Sequence, residues 1–158
     1  MTDLLASIEG SALAAWTRES PSIWAYSTIL TLHTFGLAIV AGANAVIDFR
    51  LLGIAPRIPI AALPPLFPIM WWAFALNFVT GILLFMADAS AKAGQLVFYV
   101  KLAMIALAFV VTLAVAKSLR RNAAAFVATV PSQLRMLAIL SLALWTAAIV
   151  AGRLLAYQ

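Results

Sequence analysis

One histidine, His33, lies in the middle of a long apolar run, and one lysine, Lys101, lies five residues inside another. Neutral imidazole is the commonest metal ligand among side chains and can hold haem iron or copper. A lysine in hydrocarbon is costly at mid-depth and less so near the interface, where it can snorkel. Beside a bound group it would pair with an anion, such as a porphyrin propionate. Arg153 would offer a second cation at the same membrane face. With a single histidine, two-histidine ligation within one chain is excluded. A metal at His33 would take its further ligand from Met70, Met86 or Met104, from a lysine, from water or from a second chain.

The other polar groups have plainer readings beside the chemical ones. His33 could hydrogen-bond to a neighbouring helix and fix packing, and Lys101 could simply snorkel. Asp48 and Arg50 are two residues apart, so they do not face each other on a helix. They read as an interfacial lock at a helix end, each free to pair with another span or with a loop. Asn77, with Thr80 and Thr112, reads as an interhelical hydrogen-bonding group, worth about 0.6–2 kcal/mol per bond in a membrane. Trp145 reads as core packing.

These residues need a frame, and the composition supplies it. Of 158 residues, 66% are hydrophobic and 9% charged. Soluble domains average about 45–50% apolar and about 25% charged. The fold class is therefore all-α, an integral membrane four-helix bundle in one domain. Spanning takes about 20 apolar residues, and four stretches suffice: Ser22–Leu52, Leu66–Ala87, Leu96–Leu119 and Gln133–Ala156. In the first span Tyr26, His33, Val40 and Asn44 share a narrow stripe, with Asp48 at its edge. Gly36 and Gly42 thin its waist, and Gly36/Gly42 with Ala148/Gly152 offer small-residue faces for helix contact and homo-oligomers.

Met1–Ser20 lacks a basic start and is broken by Glu9 and Arg18, so it reads as a short interfacial helix rather than a signal peptide. Glu19–Ser22 reads as a capping turn that includes Pro21. The linker Gly53–Pro65 holds four prolines and is a loop. Asp88–Gln95 is a short polar loop. Asn122–Pro131 is a connector whose Ala123–Thr129 core could be helical. Arg50, Arg57, Lys117, Arg120, Arg121 and Arg135 gather at one membrane face. Basic loops stay cytoplasmic, so both termini are expected in the periplasm of a bacterial inner membrane. His33 then lies about 15 Å below the outer end of its helix.

Several classes are excluded. Without cysteine there is no disulfide, thiolate metal site or cysteine nucleophile. No phosphate loop, dinucleotide fingerprint or paired-carboxylate metal cluster is present. No carboxylate near His33 in sequence could orient it for serine hydrolysis. The net charge of +5 belongs to the membrane-flanking loops and implies no nucleic-acid partner.

The run LHTFGLAIVAGANAVIDFRLLG, the proline-rich loop after it and the later FYVK resemble a family of small bacterial four-span membrane proteins. Asp48 to Gly53 is its most specific part. More distantly, His33, Arg50-Leu51 and Phe98-Tyr99-Val100-Lys101 resemble the membrane-bound protoporphyrinogen oxidase of the haem pathway (HemJ type) and the copper-resistance D proteins. That resemblance implies haem b with His33 as axial ligand and Lys101 as a site residue. The expected function is a membrane haem b protein in electron transfer or redox chemistry. Its expected cofactor-binding residues are His33, Lys101, Met104, Asn77 and Arg153, and its partners are the lipid bilayer, a possible second copy, and a redox partner or quinone. The alternative is a small permease for a metal such as copper, or an accessory subunit without haem.

Overall fold

The structure is a computed structural model that describes residues 2–20, 22, 24–122, 126, 129–155 and 157. The expected turn residue Pro21, and residues 123–125, 127 and 128 of the connector, lie outside the described residues. Seven α-helices are described: α1 Thr2–Glu9, α2 Ala12–Glu19, α3 Trp24–Leu52, α4 Leu66–Met86, α5 Ala89–Ala93, α6 Leu96–Asn122 and α7 Ser132–Leu155. No strand occurs among the described residues. The four long helices α3, α4, α6 and α7 are long and apolar enough to cross a membrane and form a four-helix bundle.

These helices are apolar on nearly every face, as expected of segments whose outer side meets lipid. Their ends carry the punctuation. Ser22 Oγ accepts from the Trp24 N–H at the start of α3. The far end of α3 closes on Gly53, the only glycine with a left-handed φ, at +84°. There Gly53 N donates to Arg50 O and Ile54 N to Phe49 O, the paired bonds of a glycine-terminated helix. A side chain at 53 would strain that backbone, so the Leu51-Leu52-Gly53 ending is a helix stop. Arg50 Nε donates to Ile58 O and draws the proline-rich linker back against the helix end. Ile60 and Leu63 of the linker, with Phe67 of α4, are buried there. Pro68 sits in the first turn of α4, where its missing N–H leaves no partner unsatisfied.

The N-terminal segment is two helices rather than one. Gly10 and Ser11 break it, and Ser11 Oγ caps α2 by accepting from Ala14 N. The expected polar loop before α6 contains the short helix α5. Glu9 ties the two regions together: its carboxylate accepts from the Ser90 N–H at 2.9 Å and from the Ser90 hydroxyl at 2.7 Å. The two bonds hold the Glu9 carboxyl below its ordinary titration range. Arg18 donates to Ala87 O at the end of α4. The short helices therefore cover the bundle at the end where α4 finishes.

Within the bundle α3 packs along α4 and α7, and α6 packs along α7. The ring runs α4–α3–α7–α6. The backbones of α4 and α6 make no extensive contact; they meet through aromatic side chains. Phe74 and Phe109 have centroids 5.1 Å apart, Trp71 and Phe109 5.2 Å, and Phe85 stacks on Phe98 at 5.1 Å. The α4–α6 seam is where the bundle opens.

Candidate functional site

The open seam forms a cleft of about 600 Å³. The Phe85–Phe98 stack stands towards one end and the Phe74–Phe109 pair towards the other. Eleven residues separate these pairs on each helix, about 16 Å of rise. Between them the walls carry Phe78, Ile82, Leu102 and Ile105, and two polar side chains of unlike kind, His33 and Lys101, enter the same space.

His33 comes from α3 and is half-buried against α4. Its Nδ1 is 3.0 Å from Asn77 O and 3.0 Å from Thr80 Oγ1. The Asn77 carbonyl can only accept. Thr80 has one proton, with the carbonyls Leu76 O at 2.7 Å and Asn77 O at 3.1 Å as its acceptors, so its oxygen also accepts from the imidazole. Both neighbours of Nδ1 are acceptors, and Nδ1 therefore carries the ring proton. The lone pair is left on Nε2, which has no hydrogen-bond partner among the described residues. An Nδ1–H donated to a carbonyl with Nε2 free is the arrangement seen in metal-ligating histidines.

Two glycines make this contact between α3 and α4 possible. A Cβ at Gly36 would lie 2.9 Å from Ala73 O and 3.1 Å from Asn77 N. A Cβ at Gly81 would lie 3.2 Å from His33 Cε1. Asn77 completes the clamp by donating from Nδ2 to His33 O at 2.7 Å. Its side chain thus serves the packing reading, while its backbone carbonyl orients the imidazole.

Lys101 is half-buried and runs beside Gly152 of α7, with Cε 3.4 Å and Nζ 3.7 Å from where a Cβ there would stand. Among the described residues its ammonium has no carboxylate or hydrogen-bond partner. It is a cation placed in an aromatic cleft without an anion of its own.

The other expected site residues lie elsewhere. Met104 does not line the cleft, nor do Met70, which is fully buried in the core, and Met86. Arg153 is exposed and turns outward, its guanidinium 5.2 Å from the Tyr157 ring centroid. Arg50 holds the linker, as described above, and so serves the helix end. Asp48 goes with neither Arg50 nor a basic loop. It is 1% exposed, and its carboxylate accepts from Asn44 Nδ2 at 2.6 Å.

Asp48 belongs to a buried polar network that joins three helices. Asn44 of α3 also contacts Ser141 Oγ of α7, which is 3.0 Å from its Nδ2 and 3.2 Å from its Oδ1. Thr112 of α6 donates to Asn44 Oδ1 at 3.4 Å, and Trp145 Nε1 donates to Thr112 Oγ1 at 3.3 Å. Ser141 carried no distinguishing signal in the sequence. Only its depth, level with Asn44 in an antiparallel neighbour, could have marked it.

The small-residue faces are also used within the chain. Gly36 receives α4 and Gly152 receives Lys101, whereas a Cβ at Gly42 would meet nothing within 4 Å.

In comparison with known proteins, the chain matches no family model, no curated relative and no solved structure.

Proposed function

We propose that this chain is an integral membrane haem b protein working in electron transfer or redox chemistry, with His33 as the axial ligand. The observation that supports it is the δ-protonated His33, whose unpartnered Nε2 belongs to a side chain lining an aromatic cleft. The donor set fits. One imidazole lone pair, flat phenylalanine walls and one unpaired ammonium match a metalloporphyrin with acidic side arms. The volume lies within the range of about 300–1,000 Å³ typical of small-molecule sites. Haem would supply an iron that exchanges single electrons. Asn77 O and Thr80 hold the imidazole in one tautomer and one orientation. Lys101 would pair with a carboxylate of the bound group, and the phenylalanines would shield it from water. No methionine lines the cleft, so any ligand beyond His33 would come from water, a substrate or a partner.

The basic residues at the Gly53-to-Pro65 end support a cytoplasmic placement for that end and periplasmic termini in a bacterial inner membrane. The cleft lies between two helices that face lipid, so a quinone dissolved in the bilayer is a fitting redox partner. A permease for a copper-like metal would use the same polar residues. Among the described residues, however, no three His, Asp or Glu side chains gather to hold such a cargo.

The test is the absorption spectrum of protein purified in detergent after expression with ample haem supply, oxidised and reduced. A Soret band that is lost in His33→Ala and weakened in Lys101→Ala is expected. Absence of the band from the unaltered protein would overturn the reading.

A further inference from the structure

A second concavity, of about 300 Å³, lies at the other end of the α4–α6 seam and is lined by Trp71, Leu113, Ala116, Lys117, Arg120 and Arg121. Lys117, Arg120 and Arg121 are at helical spacings of three and four, so they share one face of α6. All three are exposed, and none has a carboxylate within ion-pair distance among the described residues. Trp71 packs its ring against Phe67 and Phe109, and its indole N–H finds no acceptor among the described residues. The polar side chains of the concavity are therefore all donors, three of them cationic. The same α6 face continues away from the cations as Leu113 and Val110, both exposed and apolar. A cationic, donor-only pocket at a membrane interface, continuous with an apolar lipid-facing stripe, complements a phosphate bearing hydrocarbon chains.

We propose that this pocket holds the phosphate headgroup of an anionic phospholipid, with its acyl chains along Leu113 and Val110. The phosphate would accept from Lys117, Arg120, Arg121 and the Trp71 N–H. The headgroup pocket shares no lining residue with the His33 cleft and stands whether or not that cleft takes a porphyrin; only Val110, on the acyl stripe, also borders the cleft. A soluble phosphate shares the headgroup's chemistry but has no use for the apolar stripe.

Native mass spectrometry of the full chain, released from nanodiscs of mixed phosphatidylglycerol and phosphatidylcholine, tests the proposal. The unaltered protein should retain phosphatidylglycerol preferentially. Each cation near a membrane surface is worth about fivefold in affinity, so Arg120→Gln should reduce the preference about fivefold, and the Lys117→Gln/Arg120→Gln/Arg121→Gln protein should lose it. Trp71→Phe keeps an aromatic ring against Phe67 and Phe109 but loses the N–H donor, and should weaken retention. Arg57→Gln/Arg135→Gln, which removes charge from the same membrane face outside the pocket, should leave the preference unchanged. An unaltered preference in the triple variant, or an equal loss in the Arg57/Arg135 variant, would overturn the proposal. Equal displacement of the lipid by inorganic phosphate at millimolar concentration would overturn the lipid assignment in favour of a soluble anion.

Discussion

His33 and Asn77 each hydrogen-bond to the other's backbone carbonyl: His33 Nδ1 to Asn77 O at 3.0 Å, and Asn77 Nδ2 to His33 O at 2.7 Å. The exchange crosses from α3 to α4 and gives one nitrogen of each side chain a partner inside the bundle. It also sets the tautomer on which any chemistry at Nε2 depends. The pair is at once a packing device and the frame of the candidate site.

The backbone approach beneath that pair should be sensitive to a single methyl group. Gly36→Ala meets a carbonyl oxygen at 2.9 Å, which cannot move without α4. A cost of about 1–3 kcal/mol is expected. Gly42→Ala meets nothing within 4 Å and should be neutral or slightly stabilising. Reversible unfolding in mixed micelles compares the two; equal effects would contradict the packing.

Thr80→Val keeps the shape of the side chain and removes one of the two acceptors at Nδ1. If the proposed haem reading holds, this variant should keep haem with affinity lowered about 10–100-fold, the usual cost of losing a partner behind a metal-ligating histidine. Haem titration of the apoprotein measures it, and affinity equal to that of the unaltered protein would detach Thr80 from the site.

Asn44 is the hub of the buried network, touching Asp48, Ser141 and Thr112. Asn44→Ala leaves several buried polar groups without partners, at about 1–3 kcal/mol for each. Ser141→Ala removes one partner from a hub that keeps its others and should cost less. Unfolding free energies in the opposite order would show that the network is not centred on Asn44.

Glu9 gives the α1–α5 contact a pH dependence of definite sign. Its folded carboxyl titrates below the unfolded one because two bonds from Ser90 favour the charged form. The contact is therefore fully stabilised above the ordinary glutamate range of about 4.3 and weakens as pH falls through the lowered folded value. Spin labels on α1 and α5 should separate in that acidic window. Glu9→Gln should remove the pH step, and a step that persists would assign it to another group.

Much of the frame was legible in the sequence. The four spans need only about 20 apolar residues each and a break between them, and their ends match the expected bounds within three residues. The end of the first span at Leu52 was legible, whereas the left-handed turn at Gly53 that closes it came with the structure. The N-terminal break at Gly10–Ser11 was not foreseen, since eight-residue helices carry too little periodicity to show where one ends. Within the site, His33, Lys101 and Asn77 were picked out by being polar in apolar runs, and they do meet near one cleft. Met104, named as a candidate ligand, and Arg153, named as a second cation, do not line the cleft.

The sequence by itself determined that this is a helical membrane bundle, and that any metal in it has one histidine to bind. Those follow from composition and count. Only the tertiary structure decided that α4 and α6 part while α3 and α4 close, that Asp48 joins Asn44 and Ser141 rather than a basic loop, and that Nε2 rather than Nδ1 of His33 is free. Helical periodicity places a residue on a face, but lipid and a neighbouring helix are both apolar surroundings. Which face meets which is settled by interhelical packing and hydrogen bonds.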